Sequence, residues 1–309
     1  MLVTVAICTL NRAASLRRTL DSLAAMQQPD GIDWELLVVN NGCTDDTDLV
    51  IRSFADRLPL RREFEAQQGH SRALNRAVGT ANGDYVVWTD DDVVVDRAWL
   101  AAYAEAFRRW PEAAVFGGPI VPRYHAPVPP WVIGNEALIG GVFAHRDYGD
   151  AARPLAGAEG LFVPYGPNYA VRARELKNFS YNVALGLGPN QRRRNEETDV
   201  IRRIMRSGGT GYWVPEARVE HCVRPDMQTI RYVSQFFMTI GETAAFLRGR
   251  NDTAVLWFGA PRWLWRKLIE EWMRYRLHRL ISPAPVWLRH LRDYSDAWGA
   301  IRYWRSERS

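Results

Sequence analysis

Cysteine is scarce in this 309-residue chain: Cys8, Cys43 and Cys222 are the only three, and no two form a CxxC pair. A disulfide scaffold and a structural zinc finger are thereby excluded, and a reducing compartment is the simpler expectation. Lysine is scarcer still, with Lys177 and Lys267 alone among 40 basic residues. We read that bias towards arginine as genome composition. Neither lysine follows a glycine, which removes a Walker A loop, and no GxGxxG follows a strand, which lowers the odds of a dinucleotide oxidoreductase. No apolar run approaches the ~20 residues needed to span a bilayer. The opening MLVTVAICTLNR lacks a basic n-region and soon turns polar, so it does not read as a signal peptide. Internal repeats and low-complexity linkers are also missing.

What is present is the balance of a folded chain: 47% hydrophobic and 24% charged residues. The net charge of +5 is unevenly spread, because from Pro261 onward 11 Arg or Lys face 5 Asp or Glu, while the rest is nearly neutral. Apolar, β-branched runs at 2–8 and 34–40 read as buried strands, 61–66 as a more polar strand, and 84–89 as a strand running into three aspartates. Helices are expected at 13–26, after Asp45 and Asp46 as caps, at about 71–78, and at 196–206, 228–248 and 261–281. Strands alternating with helices imply an α/β protein with a mostly parallel sheet, whose ligands bind at the carboxyl ends of the strands. Residues 117–167, rich in Gly and Pro, read as mixed strand and loop able to cover a site. A short strand at 214–223 carries His221.

Asp90-Asp91-Asp92 closes the fourth strand. Three adjacent carboxylates repel one another unless a counter-charge is near, and hard divalent cations prefer carboxylate oxygen. An exposed acidic turn, with Asp92 as a helix cap, is the plain alternative. The segment 40–47, NNGCTDDT, places polar side chains where a base or ribose can be read, and is equally an ordinary turn and cap. At 68–77, QGHSRALNRA, Arg72 at a helix start suits phosphate or base contact. The same stretch approaches a GxSxG nucleophile elbow, which would make Ser71 a hydrolase nucleophile. Glu196-Glu197-Thr198-Asp199 opens a helix, where the dipole favours acids in any case, and a carboxylate facing the site would be a general base.

Taken in order, these segments resemble glycosyltransferase family 2, inverting enzymes of the GT-A fold. The matching residues are Thr9, Asn11 and Arg12; Asn40 to Thr47; Gly69, Ala73 and Asn75, with Gly79, Ala81 and Gly83; Asp90 to Asp92 as a DxD motif; Gly166, Asn168 and Arg172; Glu196 to Asp199; and His221. The resemblance covers about residues 1–225. It departs from the family at Asn40, where an Asp usually reads the base, and at Glu197, where an Asp is usual. The implied organisation is a catalytic domain at 1–225, with a nucleotide-sugar half at 1–110 and an acceptor half at 111–225, followed by a helical, basic, Trp-rich extension at 226–309. The implied chemistry is metal-dependent transfer of a sugar from a nucleoside diphosphate, UDP ahead of GDP or dTDP, to a hydroxyl of a glycan or lipid-linked acceptor in bacterial surface polysaccharide or glycoconjugate synthesis. By the same resemblance Glu197 is the general base. Asp92 and His221 hold Mn²⁺ or Mg²⁺, with Asp90 or Asp91 as alternatives in the register. Thr9, Asn11, Arg12, Asn40, Arg72, Asp90 and Asp91 line the nucleotide-sugar site, and Asn168 and Glu196 lie on the acceptor side. A non-catalytic protein of the same fold is the rival from another class.

On a helical wheel of 261–281, Trp265, Leu268, Ile269, Trp272 and Leu280 fall on one side, and Arg266, Lys267, Glu270, Glu271, Arg274 and His278 on the other. Trp with Arg on such a helix suits an anionic membrane surface, and packing on protein is the alternative. No nucleic-acid motif accompanies the basic tail, so a cytoplasmic protein, peripheral on the inner face of the cell membrane, is the expectation.

Overall fold

The computed structural model describes residues 1–157, 160–189, 191–250 and 254–306. The chain divides into two compact units. The first comprises 1–123, 144–191 and 195–222. Its elements run β1 (Leu2–Thr9), α1 (Ala13–Ala24), β2 (Asp33–Asn40), α2 (Thr47–Arg52), β3 (Leu60–Phe64), α3 (His70–Thr80), β4 (Tyr85–Trp88), β5 (Val93–Val95), α4 (Trp99–Arg109), β6 (Val115–Gly117) and β7 (Ile120–Tyr124). The second comprises 124–143, 192–194 and 223 onward, and holds α5 (Glu136–Ile139). The first unit then resumes with β8 (Arg153–Pro154), β9 (Ala156–Gly157), β10 (Gly160–Leu161), β11 (Tyr169–Arg172), α6 (Ala173–Asn178), α7 (Glu196–Arg206), β12 (Gly211–Trp213) and β13 (Val219–Val223). In the second unit follow α8 (Ile230–Arg248), β14 (Leu256–Trp257), β15 (Ala260–Pro261), α9 (Arg262–Ile281) and α10 (Ala284–Ser306).

Among the described residues the first unit is built on an eight-stranded sheet in the order β3-β2-β1-β4-β11-β6-β12-β8. β3, β2, β1 and β4 are parallel neighbours, and β11 pairs antiparallel with both β4 and β6. Side chains alternate across the sheet, so Val3, Val5, Ile7, Leu36, Val38 and Val87 join one core with α1 and α4. Ala6, Leu37, Val39, Val86 and Trp88 join a second core with α3 and α7. Burial on both faces explains why these strands read as continuous apolar runs.

In the second unit α8 and α10 meet backbone to backbone. A Cβ on Gly241 would lie 2.0 Å from the Asp296 carbonyl oxygen, and one on Gly299 would lie 1.9 Å from that of Met238. α10 lies within the extension expected to be helical. The wheel drawn for α9 also changes: Leu264, Trp265, Leu268 and Tyr275 turn inward, whereas Ile269, Trp272 and Leu280 are exposed. Glu271, assigned to the polar side, is buried between Arg274 at 2.8 Å and His290 at 2.6 Å. Among the described residues no helix is long and apolar enough to cross a membrane.

Candidate functional site

The parallel register brings the ends of β1, β2 and β4 together. Thr9 pairs with Asn40, and Ala6 with Trp88, so that three residues further on Thr9 meets the aspartates. The Thr9 hydroxyl donates to Asp91 Oδ2 at 2.8 Å. Arg12, at the turn into α1, reaches Asp91 Oδ1 at 3.0 Å and Asp92 Oδ2 at 2.7 Å. β5 pairs with β13 so that His221 lies opposite Val93, and the Cys222 N–H donates to the Asp92 carbonyl. His221 Nε2 therefore lies 3.4 Å from the other Asp92 oxygen, Oδ1.

This wiring separates the three acids. Burial pushes Asp91 up to about 6, with Arg12 opposing. Burial works on Asp92 too, but the hydrogen bond from His221, the His221 charge and the Arg12 guanidinium outweigh it and hold Asp92 down to about 2. Asp90 is raised, by burial first and then by the Asp92 charge.

Asp92 Oδ1 and His221 Nε2 converge without closing on each other as a full ligand shell. His221 Nδ1 is buried without a hydrogen-bond partner. Among the described residues no group of three or more His, Cys, Asp or Glu is arranged to hold a metal. A two-donor set nevertheless fits Mg²⁺ or Mn²⁺ whose remaining ligands are water and phosphate oxygens.

A second acidic cluster forms at α7. Asn195 takes a left-handed φ of 72°, which Asn tolerates, and turns the chain so that Glu196 and Glu197 occupy the first helical turn. Gly166 lies against both clusters: a Cβ there would be 3.6 Å from Glu197 Oε1 and 4.0 Å from Asp90 Oδ1. Burial, and then the neighbouring Glu196 charge, push Glu197 up to about 7. Glu196 is itself held by His70 Nδ1 in a short contact. Burial opposes the imidazolium, yet the bond to Glu196 and the surrounding acids raise His70 to about 9. Sequence reasoning passed over His70 except as part of the elbow. The helix-start position was visible, but its partner 126 residues away was not.

Several expected residues serve the frame. Asn168 is 0% exposed: its amide donates to the carbonyls of Pro119 and Ala217 and accepts from Trp99 Nε1 and Tyr103 Oη. With every polar atom engaged it has none to offer an acceptor, which corrects its acceptor-side assignment. Asn40 is buried, donating to Asp48 Oδ1 and accepting from the Cys43 N–H, so it shapes the 40–48 turn. Asn11 accepts from the Thr44 N–H at 2.7 Å and pins the same turn. Asp45, expected as a cap of α2, accepts from the N–H groups of both Thr47 and Ala13, and Asp46 makes no side-chain cap.

Arg72 is exposed and, with Gln68, Gly69, Val183, Leu185, Gly188 and Gln191, lines a cavity of about 260 Å³. Ser71 is buried, and its hydroxyl donates to the Leu185 carbonyl. It lies one residue inside α3 and follows an edge strand, so the hydrolase reading falls: an elbow serine must stand exposed after a central strand.

The profile described as "Glycosyl transferase family 2" matches residues 4–151. Residues 4–151 form a glycosyltransferase family 2 domain. Among curated relatives, "Succinoglycan biosynthesis protein ExoM" of Rhizobium meliloti is 24% identical over 247 residues, covering 78% of this chain and 73% of that protein. "Validoxylamine A glucosyltransferase" of Streptomyces hygroscopicus subsp. jinggangensis is 36% identical over 110 residues, 33% of this chain and 26% of that protein. Thus the chain spans most of the first relative but only about a quarter of the other. Among solved structures, the mannosyltransferase PcManGT from Pyrobaculum calidifontis, in complex with GDP-Man and Mn²⁺, superposes with a TM-score of 0.59 at 17% identity over 98% of this chain and 86% of that one. S. aureus TarS 1-349 in complex with UDP-GlcNAc gives 0.57 at 15% identity over 97% and 90%. At such identities these matches speak for the fold alone, which is the α/β GT-A fold.

Proposed function

We propose that the protein moves a sugar, with inversion, from a nucleoside diphosphate to a hydroxyl of a glycan or lipid-linked acceptor, in bacterial surface polysaccharide or glycoconjugate synthesis at the inner face of the cell membrane. The observation that carries this reading is the Glu197 carboxylate. It is half-buried against Gly166 and titrates near neutrality, as suits a general base working at pH 7. Glu197 accepts the acceptor hydroxyl proton. The freed oxygen attacks the anomeric carbon opposite the leaving diphosphate, the sugar–phosphate C–O bond breaks, and the bonding pair departs with the phosphate.

Arg72 faces the phosphates or base from the cavity wall, and Arg12 lies beside the same acidic strand end. Thr9, Asn11, Asn40, Asp90 and Asp91 shape the nucleotide-sugar site, Asn11 and Asn40 by holding the 40–48 turn. Glu196, clamped by His70, borders the acceptor side. Asp92 and His221 would hold Mn²⁺ or Mg²⁺, which supplies positive charge against the charge developing on the diphosphate. The nucleotide sugars bound in the two solved structures, GDP-Man and UDP-GlcNAc, and the polysaccharide named for the rhizobial relative support donor and pathway class. UDP is our preferred nucleotide.

The test is turnover of UDP-, GDP- and dTDP-sugars with Mn²⁺ and with chelator, with the product's anomeric configuration read by NMR. Metal-dependent, inverted product is expected. Nucleotide binding without turnover of any donor would overturn the reading and leave a binding protein.

A further inference from the structure

α9 has two apolar faces, and only one is used. The inward face, through Leu264, Leu268 and Tyr275, joins clusters completed by α10 and β15. On the other face Ile269, Trp272, Met273, Arg276, Leu277 and Leu280 follow one another at spacings of 3, 1, 3, 1 and 3 residues, a continuous helical stripe, and all are exposed. Leu280 is 84% and Met273 52% exposed. Ordinary surface helices place charge on that face. Beside α9, the β14–β15 hairpin carries Phe258 at its turn, 85% exposed and at a φ of +44°. A bulky residue in the left-handed region is strained, and here no intramolecular burial compensates for it.

Charge chooses the occupant. α9 carries Arg262, Arg266, Lys267, Arg274, Arg276 and Arg279 against Glu270 and Glu271. Glu271 is buried and bound to Arg274 and His290, so the acid left at the surface is Glu270, 3.6 Å from Arg266. Arg276 lies over the Trp272 ring at 5.9 Å, an arrangement that keeps the guanidinium at the level of an indole. A second copy of this face would bring two positive surfaces together. An anionic bilayer offers both hydrocarbon for the stripe and phosphate for the arginines.

We propose that the outer face of α9, with the Phe258 turn, is a docking surface for anionic phospholipid: Trp272, Met273, Leu277, Leu280 and Phe258 enter the headgroup boundary, and Arg262, Arg266, Arg276 and Arg279 meet phosphates. The proposal names the partner implied by the membrane-face reading above, and it rests on that reading only for its biological purpose.

The test is co-sedimentation of the full chain with vesicles of phosphatidylglycerol and phosphatidylcholine in equal parts, or of phosphatidylcholine alone. Binding to the anionic vesicles, weakened by salt, is expected. The variant Met273→Ser/Leu277→Ser/Leu280→Ser should lower partitioning roughly tenfold or more, and Arg266→Glu/Arg276→Glu should do the same. All five side chains are exposed, so thermal unfolding and nucleotide binding of both variants should match the parent. Equal sedimentation of parent and variants would overturn the proposal. So would a lipid-free dimer, seen by sedimentation velocity, that the serine variant splits. Either result with nucleotide turnover intact rejects the surface and leaves the transferase reading standing; vesicle binding without turnover does the reverse.

Discussion

Asp92, at the end of β4, and Glu197, at the start of α7, are tuned in opposite directions. Asp92 has Arg12 on one oxygen and His221 beside the other, and stays ionised far below neutrality. Glu197 has a like charge as its immediate neighbour, and its counter-cation, His70, is spent on Glu196. A carboxylate held ionised suits permanent charge work, while one balanced near 7 suits proton transfer. The difference comes from which cations the fold delivers to each cluster.

Breaking the first cluster has the largest expected effect. Asp92→Ala should abolish metal-dependent nucleoside diphosphate binding, measured by calorimetry with and without Mn²⁺. Unchanged affinity there and in the matching alanine variants of Asp90 and Asp91 would remove the metal assignment. Next is Glu197→Gln, which keeps shape and loses the basic oxygen. Turnover should fall by roughly a hundredfold or more at unchanged donor affinity. If Glu196→Gln is crippled instead, the wrong carboxylate has been chosen. In the parent, the rate should rise with pH through about 7, because Glu197 must lose its proton to act and burial has raised its pKa to that value. A flat profile from about one to two pH units below that value to about one above it would contradict this.

Asn168→Ala tests the frame that carries both clusters. It strands the Trp99 and Tyr103 donors and two backbone carbonyls, and should cost roughly 2–4 kcal/mol in denaturant unfolding. Near-parental stability with lost acceptor binding would restore the acceptor-side role. His70→Asn should have the smallest effect on rate. Removing the cation raises Glu197 further, so the acid limb of the rate profile moves to higher pH, with a deficit of roughly a few-fold at pH 6 that closes by pH 8. A deficit equal at all pH values would mean that His70 only supports α7 mechanically.

Much of this was legible in the chain. The strand at 2–8 extends only to Thr9 and that at 34–40 begins at Asp33, while α7 spans 196–206 as read. The hydrophobic period survives tertiary packing in these elements because both sheet faces are buried. The sequence also placed Thr9, Asn40, Asp90 to Asp92, Glu197 and His221 in one order along the chain. It did not show what each side chain touches. Asn40 and Asn168 look like recognition groups in a motif and are structural amides in the fold, because satisfying a buried polar group depends on neighbours distant in sequence. The helical character of 226–309 was legible, but not that Gly241 and Gly299 are where α8 and α10 make backbone contact.

The sequence by itself determined the α/β order of elements, the family and the acids gathered at strand ends, since these follow from local periodicity and short motifs. Only the tertiary structure decided which acid stays charged, which titrates near 7, and which side of α9 is left uncovered. Charge state and exposure are set by cations and surfaces that folding brings from elsewhere in the chain: His70 to Glu196, His221 to Asp92, and α10 to the inner face of α9.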